Sequence, residues 1–425
     1  MNMRNTDRTL LLSLPLISIG AEILKSFFES SPVMALRNYL CMAAVLYLTL
    51  RYFGQVLRFN LALVLLVVYS AVLLVVQQAG LEAWNFWIMT FQAKLMMPLA
   101  FILWAGMEDQ KRWSNTILIT GSLFAVFILL FLLLGIGVNQ YGGADGFTAG
   151  SFKFSRIYTG SFVMLALPMA WWLTETRWVR RWIPVLAILL IVILILSTRR
   201  TSWLVIATGA GVFAIYFHRR LFRLLRMAAL AALLLLAAWP LYKDVLTRQL
   251  EKRQHVFVEQ KGFDLESETR FEETLAVWRE RIGHADPLVT WFGEHLFDSI
   301  GNYDQGIHRD RPLHLDINIM LHGAGLFGLM LFVLFHAELA LTFLQLRAPL
   351  STDTDRLLEA TFLSTALSMV LLTFSGGMAA VTHNMVASIL AGSCLAALSA
   401  RRKQEFRKIT DGPPKPMLYT RRHVL

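Results

Sequence analysis

Two arginines, Arg199 and Arg200, stand in the stretch LILSTRRTSWLV (residues 194–205), between two long apolar runs with almost no loop to hold them. A guanidinium stays charged at neutral pH and grips a phosphate or carboxylate through two parallel hydrogen bonds. Together with Arg156, in another short connection, they are expected to form an anion site. The plainer alternative is an arginine at a helix end whose head snorkels to lipid headgroups. His314, in HRDRPLHLDINIMLHGAGLFGL, is the candidate base, because imidazole titrates close to neutral pH. The plainer alternative there is an interfacial histidine bonded to backbone. Asp316 and Asn318 would orient it, bind sugar hydroxyls, or cap the helix that follows. Lys94 in FQAKLMMPLAF and Arg37 lie inside apolar runs, where a cation is costly and marks function unless it snorkels or pairs, for example with Glu22. Arg270 falls on a helical pattern and has Glu266 and Glu273 as ordinary partners.

Other chemistries find little support. His308 and His322 stand near His314, but their spacing matches no zinc pattern. Asp353–Asp355 reads DTD, an acidic motif that many glycosyltransferases use to hold a divalent metal. Here it opens a helical run and reads as its N-cap. No metal and no cofactor is expected. No G-x-x-x-x-G-K-[ST] loop is present to support ATP-driven transport. Cys41 and Cys394, the two cysteines, both fall in apolar runs, which argues against a disulfide framework.

The elements that must position these residues follow from composition. The 425 residues are 56% hydrophobic and only 16% charged, with a mean hydropathy of +0.54, and soluble domains carry about 25% charged residues. Apolar runs of about 20 residues, the length that crosses a bilayer core, recur along most of the chain. The fold class is therefore an all-α polytopic membrane protein. About twelve spans are expected, near 9–27, 33–50, 59–78, 84–106, 115–137, 157–175, 182–197, 201–217, 224–241, 316–344, 357–376 and 383–400. The net charge of +11 fits basic residues flanking spans on the cytoplasmic side, and no basic stripe with interleaved aromatics suggests nucleic acid.

Lysine and arginine placement sets the expected orientation. With both termini cytoplasmic, the inner segments hold Arg51, Arg58, Lys111, Arg112, Arg177, Arg180 and others, and the tail 401–425 adds eight more. The short outer loops hold only Lys25, Lys153, Arg156, Arg199 and Arg200. The expected organisation is spans one to nine over 1–241, an outer insert over 242–315, spans ten to twelve over 316–400, and a basic cytoplasmic tail. Within the insert, ESETRFEETLAVWRERI reads as an amphipathic helix with Phe271, Leu275 and Trp278 on one side, and HADPLVTWFGEH as a turn-rich connector. The insert is too small for a rich core of its own and is expected to pack as a lid on the outer span ends.

With these residues placed, the chain resembles the O-antigen ligase and O-antigen polymerase superfamily of membrane glycosyltransferases. The resemblance rests on patches: STRRTSWL, which aligns Arg200 with the family arginine; TRFEETLAVW followed by HADPLVTWFG, which puts Arg270 in a second arginine role; HLDINIMLHGAGLFGL, which places His314 in the histidine register; and RIYTG from Arg156 to Gly160. Leu315 stands where the family often has asparagine after the histidine, and Arg199 where it often has serine. The resemblance implies a GT-C-like fold in the bacterial inner membrane with a periplasmic active site. It implies an undecaprenyl-diphosphate-linked glycan as donor and, in the ligase reading, lipid A–core oligosaccharide as acceptor, without a metal. Arg200 and Arg270 would clamp the diphosphate, and His314 would act as base. Arg199, Arg156, Lys153, Lys94, Arg37 and Asp316 would bind substrate. A polymerase taking a second lipid-linked glycan as acceptor is the alternative within the family. A lipid-linked sugar transporter, expected to show an internal charged path and inverted repeats, is the alternative outside it.

Overall fold

The computed structural model describes residues 3–28, 31–104, 107–136, 157–197, 200–217, 243, 247, 269–283, 286–303, 313–347, 352–374 and 381–410. Every regular element among them is a helix. Eight described helices are long and apolar enough to cross a membrane: α1 (Met3–Phe28), α2 (Ser31–Arg51), α5 (Leu81–Leu103), α6 (Met107–Leu134), α8 (Arg177–Ser197), α12 (Asp316–Leu346), α13 (Asp353–Thr373) and α14 (Val381–Thr410). The protein is thus a helical chain built to pass a membrane several times.

Three expected spans take other forms. The run at 59–78 becomes α4 (Leu61–Val76), preceded by the short α3 (Phe53–Phe59) at a bend of 111°. The bend is set by Asn60, which leaves the helical region and caps α4 by accepting from the Leu63 amide at 2.7 Å. The runs at 157–175 and 201–217 become α7 (Tyr158–Leu173) and α9 (Arg200–Tyr216), of 16 and 17 residues, each roughly 24–26 Å long and shorter than a bilayer core. The expected span at 224–241 lies outside the described residues, as does most of the first part of the insert. The rest of the insert forms α10 (Thr269–Ile282) and α11 (Pro287–Phe292).

Span ten departs most from expectation. Gly325 sits inside α12 at φ 65° and ψ −168°, and there the helix breaks into two legs. The long leg, 326–346, holds Phe332 and Phe335, each with its ring 5.5 Å from the Lys94 ammonium of α5. Gly325 lies against the backbone of Trp291 and Gly293, and Met320 on the short leg packs in one buried cluster with Leu73, Ala83 and Trp87, at the adjoining ends of α4 and α5. The short leg therefore turns across that end of the bundle.

We term that end the mouth. The short leg lies across it, and α10 and α11 pack on the short leg. Helix α5 starts there, with Phe86 stacked on Phe297 at 4.9 Å. Helix α14 runs parallel to α5, with Gly392 against the Met97 carbonyl and Ala396 level with Phe101. Thr382 and His383 at the start of α14 therefore belong to the mouth half.

The opposite end is held by ordinary surface chemistry. Arg8 donates to the Leu103 carbonyl at 2.7 Å, and Arg51 and Tyr52 both bond Asp7. Thr352 and Asp355 form a capping box, and Arg401 pairs with Asp355. The DTD stretch thus opens the helix as its first turn, with Thr352 as the N-cap residue and Asp355 completing the box.

Candidate functional site at the mouth

The site is built on α10 and the short leg of α12. Glu273 is 1% exposed, yet it is a carboxylate and must be satisfied. It accepts from the His314 amide at 2.9 Å, the Leu315 amide at 3.4 Å and the Asn318 side chain at 3.4 Å. Its second oxygen lies 3.5 Å from His314 Nδ1. Burial alone would raise this carboxyl's pKa. The hydrogen bonds and charge from His314, with Asn318, outweigh burial and hold it below the ordinary range. The His314 side chain itself is 41% exposed. The result is an accessible imidazole whose Nδ1 faces a fixed anion, leaving Nε2 open.

About two turns further along each element, a second polar group is buried. Arg281, 0% exposed, donates to Glu294 at 2.6 Å and from Nη2 approaches His322 Nδ1 at 2.7 Å. Between the two polar levels, Val277 packs with Ile319, Leu321 and Tyr303. Glu273, Val277 and Arg281 thus make one buried face of α10 at spacing four. The apolar stripe of the same helix points the other way: Phe271, Leu275, Trp278 and Ile282 are 37–54% exposed. The sequence pattern would bury that stripe. The reverse holds because the short leg offers partners for both charges, and a satisfied carboxylate and guanidinium can then be buried.

Backbone contacts lock the corner. Gly293, at φ 67°, ends α11 against the backbone of Gly323, Ala324 and Gly325, and a Cβ on it would meet those atoms at 2.5–2.6 Å. Gly325 in turn lies against the Trp291 carbonyl. Only glycines allow this approach of two chains and these dihedrals together. Gln77, just beyond α4, ties the same corner, donating to the Gly323 carbonyl at 3.1 Å and accepting from the Leu296 amide at 2.7 Å.

Beneath the short leg the bundle interior is polar. Lys94 is 5% exposed. His383 is fully buried, stacked on Phe162 and edge-on to Tyr158. Both His383 ring nitrogens, both Gln92 amide atoms and the hydroxyls of Thr90, Thr159 and Ser161 find no hydrogen-bond partner among the described residues. Buried polar atoms are nearly always paired, so this group stands out as a polar cluster in the bundle interior.

The structure brings some expected site residues together. His314 stands at the mouth, with Asp316 (4% exposed) on the short leg and Lys94 below it. Arg37 is drawn elsewhere: its guanidinium lies 3.3 Å from Glu22 and bonds Asn38 and Ser18, in a cluster completed by Thr382. That pairing makes Arg37 a bridge between α1, α2 and α14 and explains how Glu22 is tolerated in the first span. Arg200 opens α9 and Arg270 lies in the first turn of α10, but their side chains lie outside the described part. Lys153, Arg156, Arg199 and His308 lie wholly outside it. Sequence reading missed Glu273 as the partner of His314, and missed Arg281, His322 and the Gly293–Gly325 contact. The spacing of Glu273, Val277 and Arg281 was the available signal for the buried face.

Compared with models of known protein families and with curated proteins, the chain matches none.

Proposed function

We propose that the chain is a glycosyltransferase of the bacterial inner membrane, O-antigen ligase-like, moving a glycan from undecaprenyl diphosphate to a sugar hydroxyl of lipid A–core oligosaccharide at the periplasmic face. The observation that carries the reading is the pairing of half-exposed His314 with buried Glu273. A carboxylate facing Nδ1 favours the tautomer with Nε2 unprotonated and stabilises the imidazolium that forms, which is the arrangement a general base needs. The 3.5 Å contact would tighten as charge develops.

In the proposed step the acceptor hydroxyl oxygen attacks the anomeric carbon. The bond from that carbon to the diphosphate oxygen breaks, undecaprenyl diphosphate leaves with the electron pair, and His314 Nε2 takes the hydroxyl proton. Direct attack inverts the anomeric configuration. Arg200 and Arg270, with Arg199, Arg156 and Lys153, would hold the diphosphate and stabilise the charge it gains. Lys94 and Asp316 would bind substrate beside the buried polar cluster. Arg37, already engaged by Glu22, takes a structural role in this reading.

Reconstitution tests it. Purified protein receives the lipid-linked glycan and lipid A–core, and products are separated by size. The expected result is glycan on lipid A–core with wild type and none with His314→Ala or Arg270→Ala. Longer lipid-linked chains with lipid A–core untouched would make the enzyme a polymerase. Donor moved across the bilayer with no new glycosidic bond would make it a transporter.

A further inference from the structure

The end of the bundle opposite the mouth holds a cleft that the proposed chemistry does not use. It lies between α3, α5 and α14, with a volume of about 670 Å³. Its wall is apolar, with Phe101 and Ala396 among its residues, and its rim carries Gln55, Arg58, Lys403 and Gln404. No carboxylate lines it. The bend at Asn60 makes the cleft: α3 turns away from α4 by 111° and leaves a gap beside α5 that a straight span would have filled.

Several cations at this end are held by carboxylates, and the two rim cations are among those that are not. At this end Arg51 pairs with Asp7, Lys111 with Glu175, Arg347 with Glu359 and Arg401 with Asp355. Arg58 and Lys403 make no ion pair or side-chain hydrogen bond among the described residues. They sit on separate elements and face one cleft. Two unengaged cations and two amide side chains above an apolar wall complement one kind of molecule: a phosphodiester carrying hydrocarbon chains. Basic pockets between spans on the cytoplasmic side, where positive-inside charge puts this end, meet a leaflet rich in anionic lipid.

We infer that this cleft binds an anionic phospholipid, its phosphate between Arg58 and Lys403 and its acyl chains along Phe101 and Ala396. The site stands apart from the glycosyl-transfer reading, since no residue is shared with the mouth.

The test uses the full chain, purified in mild detergent and offered phosphatidylglycerol or phosphatidylcholine, with retained lipid read by native mass spectrometry. Wild type is expected to retain phosphatidylglycerol several-fold over phosphatidylcholine. Arg58→Gln with Lys403→Gln is expected to lose that preference. Both residues are exposed, and an unchanged helical circular dichroism spectrum and a monodisperse elution peak would show the variant folded. Arg180→Gln with Arg181→Gln, exposed cations outside the cleft, is expected to keep the preference. Equal loss in both pairs would reduce the effect to general surface charge and overturn the site. Equal retention in wild type and the cleft variant would overturn it as well, and so would displacement of the lipid by millimolar inorganic phosphate, which would point to an anion site indifferent to acyl chains.

Discussion

The two ends of the bundle differ in which charges they bury. At the far end, cations near the surface reach buried carboxylates, as Arg51 does Asp7 and Arg347 does Glu359, and the helix termini are capped by neighbouring side chains, as at Thr352 and Asp355. At the mouth, charge of both signs is carried inward: Glu273 and Arg281 are buried, Lys94 lies under the short leg, and His383 and Gln92 find no partner among the described residues. The backbone differs too. Each end breaks one helix in its own way: the far end turns by 111° at Asn60, which caps α4, whereas the mouth breaks a span at Gly325 and wedges α11 into the break. A strained corner above buried charge is the kind of place where proteins do chemistry, which is why the proposed reaction is put at the mouth.

The comparison breaks most readily at His314. Its replacement by alanine is expected to lower transfer by about 10²–10⁴-fold while leaving membrane insertion and thermal stability near wild type. Glu273→Gln should lower activity through the same imidazole, so the double variant should lose little more than His314→Ala alone. Additive losses would separate the two residues.

Next is the corner. Gly325→Ala places a Cβ against the Trp291 carbonyl at a left-handed φ, a conformation costing of order 1–3 kcal/mol even before the clash. A clear fall in melting temperature is expected. Gly211→Ala, where a Cβ meets nothing within 4 Å, should melt at or above wild type. Equal melting of the two variants would remove the corner from the argument.

Arg281→Met takes away the donor that Glu294 and His322 share. A loss of about 1.5–3 kcal/mol is expected from hydrogen bonds to a charged group, read by chemical unfolding. Asp355→Asn, at the far end, should cost about 1 kcal/mol through the cap and leave transfer unchanged. If Asp355→Asn cost activity instead, the division between the ends would fail.

The smallest effect expected is in pH. The folded pKa of Glu273 lies below its ordinary value of 4.5. Its contribution is therefore complete above that value and is lost as pH falls through the folded one. Amide exchange at His314 and Leu315 should accelerate on acidification below about pH 4.5, and Glu273→Gln should abolish that dependence.

Much of this was legible in the chain. Apolar run length and the scarcity of charge marked a multi-pass helical protein, because a bilayer core demands about 20 apolar residues per crossing. The Thr352–Asp355 cap and the pairing of Arg37 with Glu22 were open to a reading of side-chain chemistry at short range. His314 stood out by type and place. The buried face of α10 was not legible, because amphipathic patterning assumes that water takes the polar side. Here the short leg of α12 supplies Asn318 and His322 as partners, and whether such partners exist is decided by contacts some forty residues apart in sequence. The turn of α12 was hidden for a similar reason. Residues 316–346 read as one long apolar helix, and only the backbone of Gly293, arriving from another segment, makes the break at Gly325 worth its conformational cost. The sequence by itself determined that the chain carries several helices apolar and long enough to cross a membrane, and which residue types could hold an anion or move a proton. Tertiary structure alone decided that Glu273 faces His314 and that a cleft opens beside the bend at Asn60, because each depends on which distant groups arrive to satisfy a buried charge or fill a gap.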